Sequence, residues 1–142
     1  MTVEPKYWTE ATATGGGRNG LAKLADGKLT ITMASPKEFG GSGAGHNPEE
    51  LFALGYAACF LSALRYAAQT EKLGTVPEAA TVKAKVGLGP RADRGFGLAV
   101  TLEVSLPGVP EDVAAKMVER GHAVCPYSDL ARNGMAVELT RV

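Results

Sequence analysis

The chain lacks net charge, is poor in cysteine and has no apolar run of membrane length. Lys plus Arg number 15 and Asp plus Glu number 15, so the formal charge is zero. A general nucleic-acid or acidic-membrane binder carries a basic excess, so both classes are disfavoured. The apolar stretch 51–64 runs about fourteen residues before Arg65, short of the roughly twenty needed to cross a bilayer. Residues 1–6 show no basic start followed by an apolar run, which argues against a secretory signal and for a cytoplasmic location. There are two cysteines, Cys59 and Cys125. In a reducing compartment a persistent disulfide is not expected, and a Cys pair points to catalysis or metal binding. His46, His122, Cys59 and Cys125 are scattered with no CxxC or HExxH spacing, so no metal or cofactor is expected. The glycine runs 15–20 and 40–45 lack the GxxxxGK[ST] pattern, which excludes a phosphate loop.

What the chain does have is glycine: 18 residues in 142, nearly twice the average share of about 7%. The length suits one domain, residues 1–142, with a core of its own. Short strands are expected in the first third: residues 7–14, then 21–25, a turn at Asp26-Gly27, and an alternating run through Leu29, Ile31 and Met33. A long helix should begin at Asn47, with Pro48 at its first position and Glu50 completing a capping box, and end near Leu73-Gly74. Some 25 residues span about 37 Å, against a radius of gyration of roughly 14–15 Å for such a domain. The helix is apolar nearly all round until Arg65, which predicts a central position.

Two period-2 runs follow. Val82, Ala84, Val86 and Leu88 alternate with polar residues, and so do Leu98, Val100, Leu102, Val104 and Leu106. One wet face implies an antiparallel pair, turning at residues 90–95. A second helix is expected from Pro110, ending at Pro126, and a last strand through Met135, Val137 and Leu139. The order βββ-α-ββ-α-β predicts an α+β class.

Cys59 lies about ten residues into the long helix, beyond the reach of the helix dipole, so its ionisation needs a cation from elsewhere. Arg65 is some 120° round the helix from it and points away. On spacing alone the inert reading, a small buried hydrophobe, stands beside the catalytic one. Cys125, at a helix end, is free to move as a resolving thiol would, and packing explains it equally well. Arg18, after three glycines, can reach inward or lie exposed. Glu50 is taken up by its capping box, which leaves Glu49 as the available acid.

The stretch Asn47-Pro48-Glu49-Glu50-Leu51-Phe52-Ala53-Leu54-Gly55-Tyr56-Ala57-Ala58-Cys59-Phe60 closely resembles the first cysteine motif of organic hydroperoxide resistance proteins, the Ohr branch of the OsmC/Ohr family. Gly16-Gly17-Arg18-Asn19-Gly20, Gly87-Leu88-Gly89-Pro90 and Val124-Cys125-Pro126-Tyr127-Ser128 match in the same order. The resemblance implies an OsmC-like α+β fold, antiparallel sheets round a long central helix, in an intertwined homodimer. It implies a thiol peroxidase acting on organic hydroperoxides and recycled by a lipoyl-type dithiol. It makes Cys59 the peroxidatic cysteine, Cys125 the resolving one, Arg18 the active-site arginine and Glu49 its partner. The apolar side chains Phe39, Phe52, Tyr56 and Phe60, together with Tyr127 of the second cysteine motif, then become the expected substrate contacts. Residues 129–134 depart from the family's usual continuation, and His46 and Glu50 replace commoner small or amide residues. A general OsmC-type peroxidase, or a redox-sensing or ligand-binding dimer, are the alternatives.

Glu49 and Cys59 are about 15 Å apart along one helix and cannot meet within it. An antiparallel pairing of the helix with its copy would bring them together across a twofold axis, and the small residues Gly55, Cys59 and Ala63 would permit close contact.

Overall fold

The computed structural model describes residues 2–142. They divide into two compact units, the first ending at Leu51 and the second running from Phe52 to Val142.

The first unit carries a three-stranded antiparallel sheet of β1 (Ala11–Thr14), β2 (Leu21–Leu24) and β3 (Thr30–Thr32) in the order β1-β2-β3. Thr14 pairs with Leu21, and Leu21 with Thr32. β1 is shorter than expected: Tyr7 and Trp8 precede it and are exposed. Asp26-Gly27 makes the predicted turn, with the Lys28 amide donating to the Asp26 carboxylate at 2.9 Å. The β1–β2 hairpin is drawn tight at Gly20, where any Cβ would sit 1.9 Å from the Thr14 carbonyl oxygen. This fixes the turn that carries Arg18. After β3, Met33 bridges His46, and Met33 and Ala34 are buried.

Helix α1 spans Pro48–Thr70. Its start keeps the predicted cap, the Glu50 amide donating to Asn47 Oδ1 at 2.9 Å, while the Glu50 carboxylate accepts from Asn47 Nδ2 at 2.9 Å where a capping box uses the backbone N–H. The end comes at Thr70, three residues before the expected Leu73. Lys72 is left-handed there, and Leu73 donates back to the Ala68 carbonyl.

In the second unit, β4 (Thr81–Pro90) and β5 (Phe96–Ser105) form one antiparallel hairpin, paired from Thr81↔Ser105 to Pro90↔Phe96. Helices α2 (Glu111–Val124) and α3 (Pro126–Asn133) follow. Phe60, Leu64, Met117 and Cys125 are wholly buried at the centre of the core, against Val82, Ala84, Leu102 and Val104 of the hairpin. Arg65 donates to the carbonyls of Val76 and Pro77 at 3.1 and 3.2 Å, bracing the chain after α1.

Three expectations change. The last strand is absent: Met135, Val137 and Leu139 are 69%, 66% and 90% exposed, because alternation defines a face but a strand also needs a neighbouring edge to bond. Pro126 ends α2 and also begins α3, a helix the alternation pattern did not suggest. α1 is buried along one side only, through Tyr56, Phe60, Ala63, Leu64, Ala67 and Ala68, while Leu54 and Tyr66 are exposed. Its 23 residues also make it long and apolar enough to cross a membrane by length and composition, where the shorter run counted to Arg65 did not.

Candidate active site

The candidate residues form two constellations, one in each unit. In the first, the hairpin turn presents Arg18 and the opening turn of α1 presents Glu49. Their side chains form a two-point fork: Arg18 Nη2 donates to Glu49 Oε1 at 2.5 Å, and Nη1 to Oε2 at 3.0 Å. Parallel N–H···O bonds of this kind fix the guanidinium plane. The Glu49 side chain is 13% exposed and that of Arg18 43%, so the acid is mostly buried and the cation keeps an open side. The fork holds the Glu49 carboxyl below its ordinary range, against the upward pull of its own burial, and raises Arg18 further. Glu50 is occupied elsewhere, between Asn47 and His46, whose Nδ1 lies 2.9 Å from Glu50 Oε2. The two unusual residues His46 and Glu50 thus form a pair with each other.

In the second unit, Cys59 on α1 and Cys125 at the α2–α3 corner are both free thiols. Their sulfurs are 3.8 Å apart, with Cys125 donating to Cys59. Cys125 is wholly buried and serves as both the last cap of α2 and the first of α3. This corrects the expectation of a loose helix end. Cys59 is half-buried. Burial pushes its thiol above the ordinary value, the nearby backbone N–H of Tyr127 pulls it down, and Cys125 adds a smaller upward push. Unaided, this thiol resists ionisation at neutral pH.

Four of the five proposed substrate contacts gather beside these sulfurs' helices. Phe52 stacks on Tyr127 at 5.4 Å and edges Tyr56 at 5.8 Å, Tyr56 lies 5.6 Å from Tyr127, and Phe60 follows at 6.4 Å from Tyr56. Tyr127 can lie on α1 because residue 55 is glycine: a Cβ there would meet the Tyr127 hydroxyl oxygen at 2.7 Å. Gly55 therefore has a partner within its own chain, beyond the role first read for it in pairing with a copy. Phe39 is placed differently, on a 3-10 turn (Lys37–Phe39) of the first unit with its side chain exposed.

Sequence reasoning missed the Tyr127 amide and Ser128, and weighed His122 only as a metal ligand. The Tyr127 amide and Ser128 belong to α3, and His122 of α2 meets Ser128 there. Pro126 at its first position, Asp129 in its first turn and Gly134 just past its end are the signals that mark it.

Residues 40–140 match the family model described as OsmC-like protein. The organic hydroperoxide resistance protein of Xanthomonas axonopodis pv. citri is 42% identical over 135 residues, 94% of this chain and 93% of that protein. Organic hydroperoxide resistance protein OhrA of Bacillus subtilis is 38% identical, covering 93% and 94%. A crystal structure of an organic hydroperoxide resistance protein OsmC from Legionella pneumophila is similar with a TM-score of 0.84 and 40% identity, covering 92% of this chain and 93% of that one. One from Vibrio cholerae, a putative organic hydroperoxide resistance protein with captopril bound in one of its active sites, has a TM-score of 0.85 and 41% identity, covering 94% and 90%.

Proposed function

The chain belongs to the OsmC/Ohr family, and from that membership we propose that it is a cysteine-based peroxidase that reduces organic hydroperoxides with a dithiol as reductant. The observation that carries the reading is the 3.8 Å contact between two free thiols, one on α1 and one at the α2–α3 corner. Closure by about 1.8 Å brings them to bonding distance.

Cys59, as thiolate, attacks the distal oxygen of the hydroperoxide. The O–O bond breaks, the alkoxide leaves as alcohol after taking a proton, and Cys59 becomes a sulfenic acid. Cys125 attacks that sulfur, water leaves and a disulfide forms. A dithiol of lipoyl type reduces it by exchange and becomes a cyclic disulfide itself. Each cycle converts one hydroperoxide and one dithiol into an alcohol, water and a disulfide.

The thiol needs a positive charge, since burial works against its ionisation. Arg18, aimed by Glu49, is the group assigned to that task and to orienting the peroxide. Along α1, Glu49 and Cys59 stand ten residues apart, about 15 Å of rise. In this reading the Arg18–Glu49 fork of one copy serves Cys59 of another across a twofold homodimer, with α1 at its centre. Exposed apolar side chains support such a pairing: Leu54 and Tyr66 on α1, Phe96 and Leu98 on β5, and Met135, Val137 and Leu139 near the C-terminus. The aromatic cluster favours alkyl and fatty-acid hydroperoxides over hydrogen peroxide, which gains nothing from apolar walls. Residues 1–142 act as one catalytic domain, in a reducing, cytoplasmic setting that keeps both thiols available.

Stopped-flow oxidation of the reduced protein tests the reading. Cumene or linoleic acid hydroperoxide should react at least a hundredfold faster than hydrogen peroxide, and dihydrolipoamide should restore both thiols. Equal, slow rates with every peroxide would refute it.

A further inference from the structure

Ser128 and His122 have no part in the peroxidase steps, yet they lie against the residues that do. Ser128 is the third residue of α3 and wholly buried. Its hydroxyl is 2.8 Å from the Tyr56 hydroxyl on α1 and 2.9 Å from Nδ1 of His122 on α2. One side chain thus joins all three helices. An eight-residue helix does not hold itself in place, so the direction of α3 must come from its contacts. Those contacts converge on one stretch of α1. Cys125 touches Cys59, the Tyr127 ring lies over Gly55, and Ser128 bonds Tyr56, three residues before Cys59, while the Tyr127 N–H acts to lower the Cys59 thiol. From the far side, Arg132 donates to the His122 carbonyl at 2.6 Å and closes the α2–α3 corner.

We propose that Ser128 is a positioning residue of the Cys59–Cys125 site: the chain Tyr56–Ser128–His122 locks the first turn of α3 onto α1, holding the Tyr127 backbone beside Cys59 and Cys125 in contact with it. The hydrogens of the chain have a preferred direction. Ser128 has a single hydrogen to donate, so it must accept at one of its two contacts. Tyr56 donating to Ser128, and Ser128 donating to Nδ1 of His122, satisfies every buried group. The reverse leaves the Tyr56 hydrogen without an acceptor among aromatic rings. In this arrangement Nδ1 of His122 is the acceptor.

The role rests on Cys59 being the reactive thiol, as the peroxidase reading has it, but its test does not require peroxidase activity. In a C125S background, Cys59 alone reports through its rate of alkylation by bromobimane as a function of pH. S128A should move the profile about one pH unit upward, roughly a tenfold slower reaction at neutral pH, with far-UV circular dichroism unchanged. His122 is exposed, so its exchange leaves no buried void. In H122N a side-chain carbonyl takes the place of Nδ1 and should keep the parental profile. H122Q reaches the place of Nε2 instead and should shift as S128A does. A folded S128A with the parental profile would overturn the proposal, and so would H122N and H122Q behaving alike. Should S128A fail to fold, the two His122 variants decide. A protein that consumes no hydroperoxide yet shows this pattern would sink the peroxidase reading and leave the positioning chain standing.

Discussion

The sulfur of Cys125, at the corner between α2 and α3, rests 3.8 Å from that of Cys59 on α1. Neither thiol is at a loose end. Cys125 is pinned between α2 and α3, and Cys59 is rooted in the middle of α1. Resolution by such a pair needs a small closure, so formation of the disulfide should follow the first oxidation without unfolding of a helix.

One equivalent of hydroperoxide should therefore remove both free thiols of the wild-type protein without creating a covalent dimer, as read by thiol titration and non-reducing electrophoresis. C59S should consume no peroxide. C125S should complete one turnover, accumulate a sulfenic acid that dimedone traps, and advance to the sulfinic acid in excess peroxide. A C59S protein with normal turnover would remove Cys59 from the chemistry.

The Arg18–Glu49 fork predicts a graded series. R18A should slow oxidation of Cys59 by about two orders of magnitude, the scale of losing one preorganised charge partner. R18K keeps the charge but cannot make both parallel bonds, so it should fall between R18A and wild type. E49Q leaves Arg18 present but unaimed and should cost less than R18A. The order of second-order rate constants in stopped-flow fluorescence checks this, and R18K equal to wild type would contradict the role of the fork.

Acid should weaken the same pair. In the folded protein the Glu49 carboxyl titrates below its ordinary value of 4.5, chiefly because of the bond from Arg18. A depressed carboxylate stabilises the fold fully above the unfolded value, and that contribution is lost as pH falls through the lower folded value. The acid limb of wild-type stability should thus lie below pH 4.5 and carry a component missing in E49Q. Denaturant midpoints of the two proteins at pH 7 and near pH 3 measure it: their difference should shrink at the lower pH.

Gly55 sets two opposed effects against each other. Alanine gains about 1 kcal/mol over glycine in a helix interior. Its Cβ, however, would fall 2.7 Å from the Tyr127 hydroxyl oxygen and 3.2 Å from the ring carbon bearing it. Overpacking of this sort costs about 1–3 kcal/mol. G55A should therefore be destabilising, and G55V more so, both displacing the Tyr127 ring from Phe52 and Tyr56. A G55A protein more stable than wild type in urea would show that the ring moves aside freely.

What the residues disclosed in advance, and what they hid, has a physical pattern. The start of α1 was legible because a helix cap is local: Asn47 and Glu50 make their bonds within one turn. The β4–β5 hairpin was legible because its two alternating runs are close in sequence and pair with each other. The run through Met135, Val137 and Leu139 has the same alternation but no partner edge among the described residues, so the pattern did not become a strand. Pro126 hid α3, since a residue that stops one helix also suits the first position of the next. The placing of the Tyr127 backbone near Cys59 went unseen with it. Cys59 and Cys125 themselves were visible, and packing explained them equally well until their contact was known.

The last consequence concerns which chain supplies which group. If Arg18 and Glu49 of one copy serve Cys59 of another, the slow R18A and the inactive C59S fail for different reasons and can complement each other. In a mixed dimer, the C59S chain offers an intact Arg18 to the intact Cys59 of the R18A chain, restoring one of two sites. Equal mixing with free exchange places half of the dimers in the mixed form, so about a quarter of wild-type activity should return under twofold symmetry. Sedimentation equilibrium on wild type should give twice the chain mass of 14.7 kDa. Full activity in a monomer, or no recovery on mixing exchanged subunits, would place each fork and its cysteine in the service of a single chain.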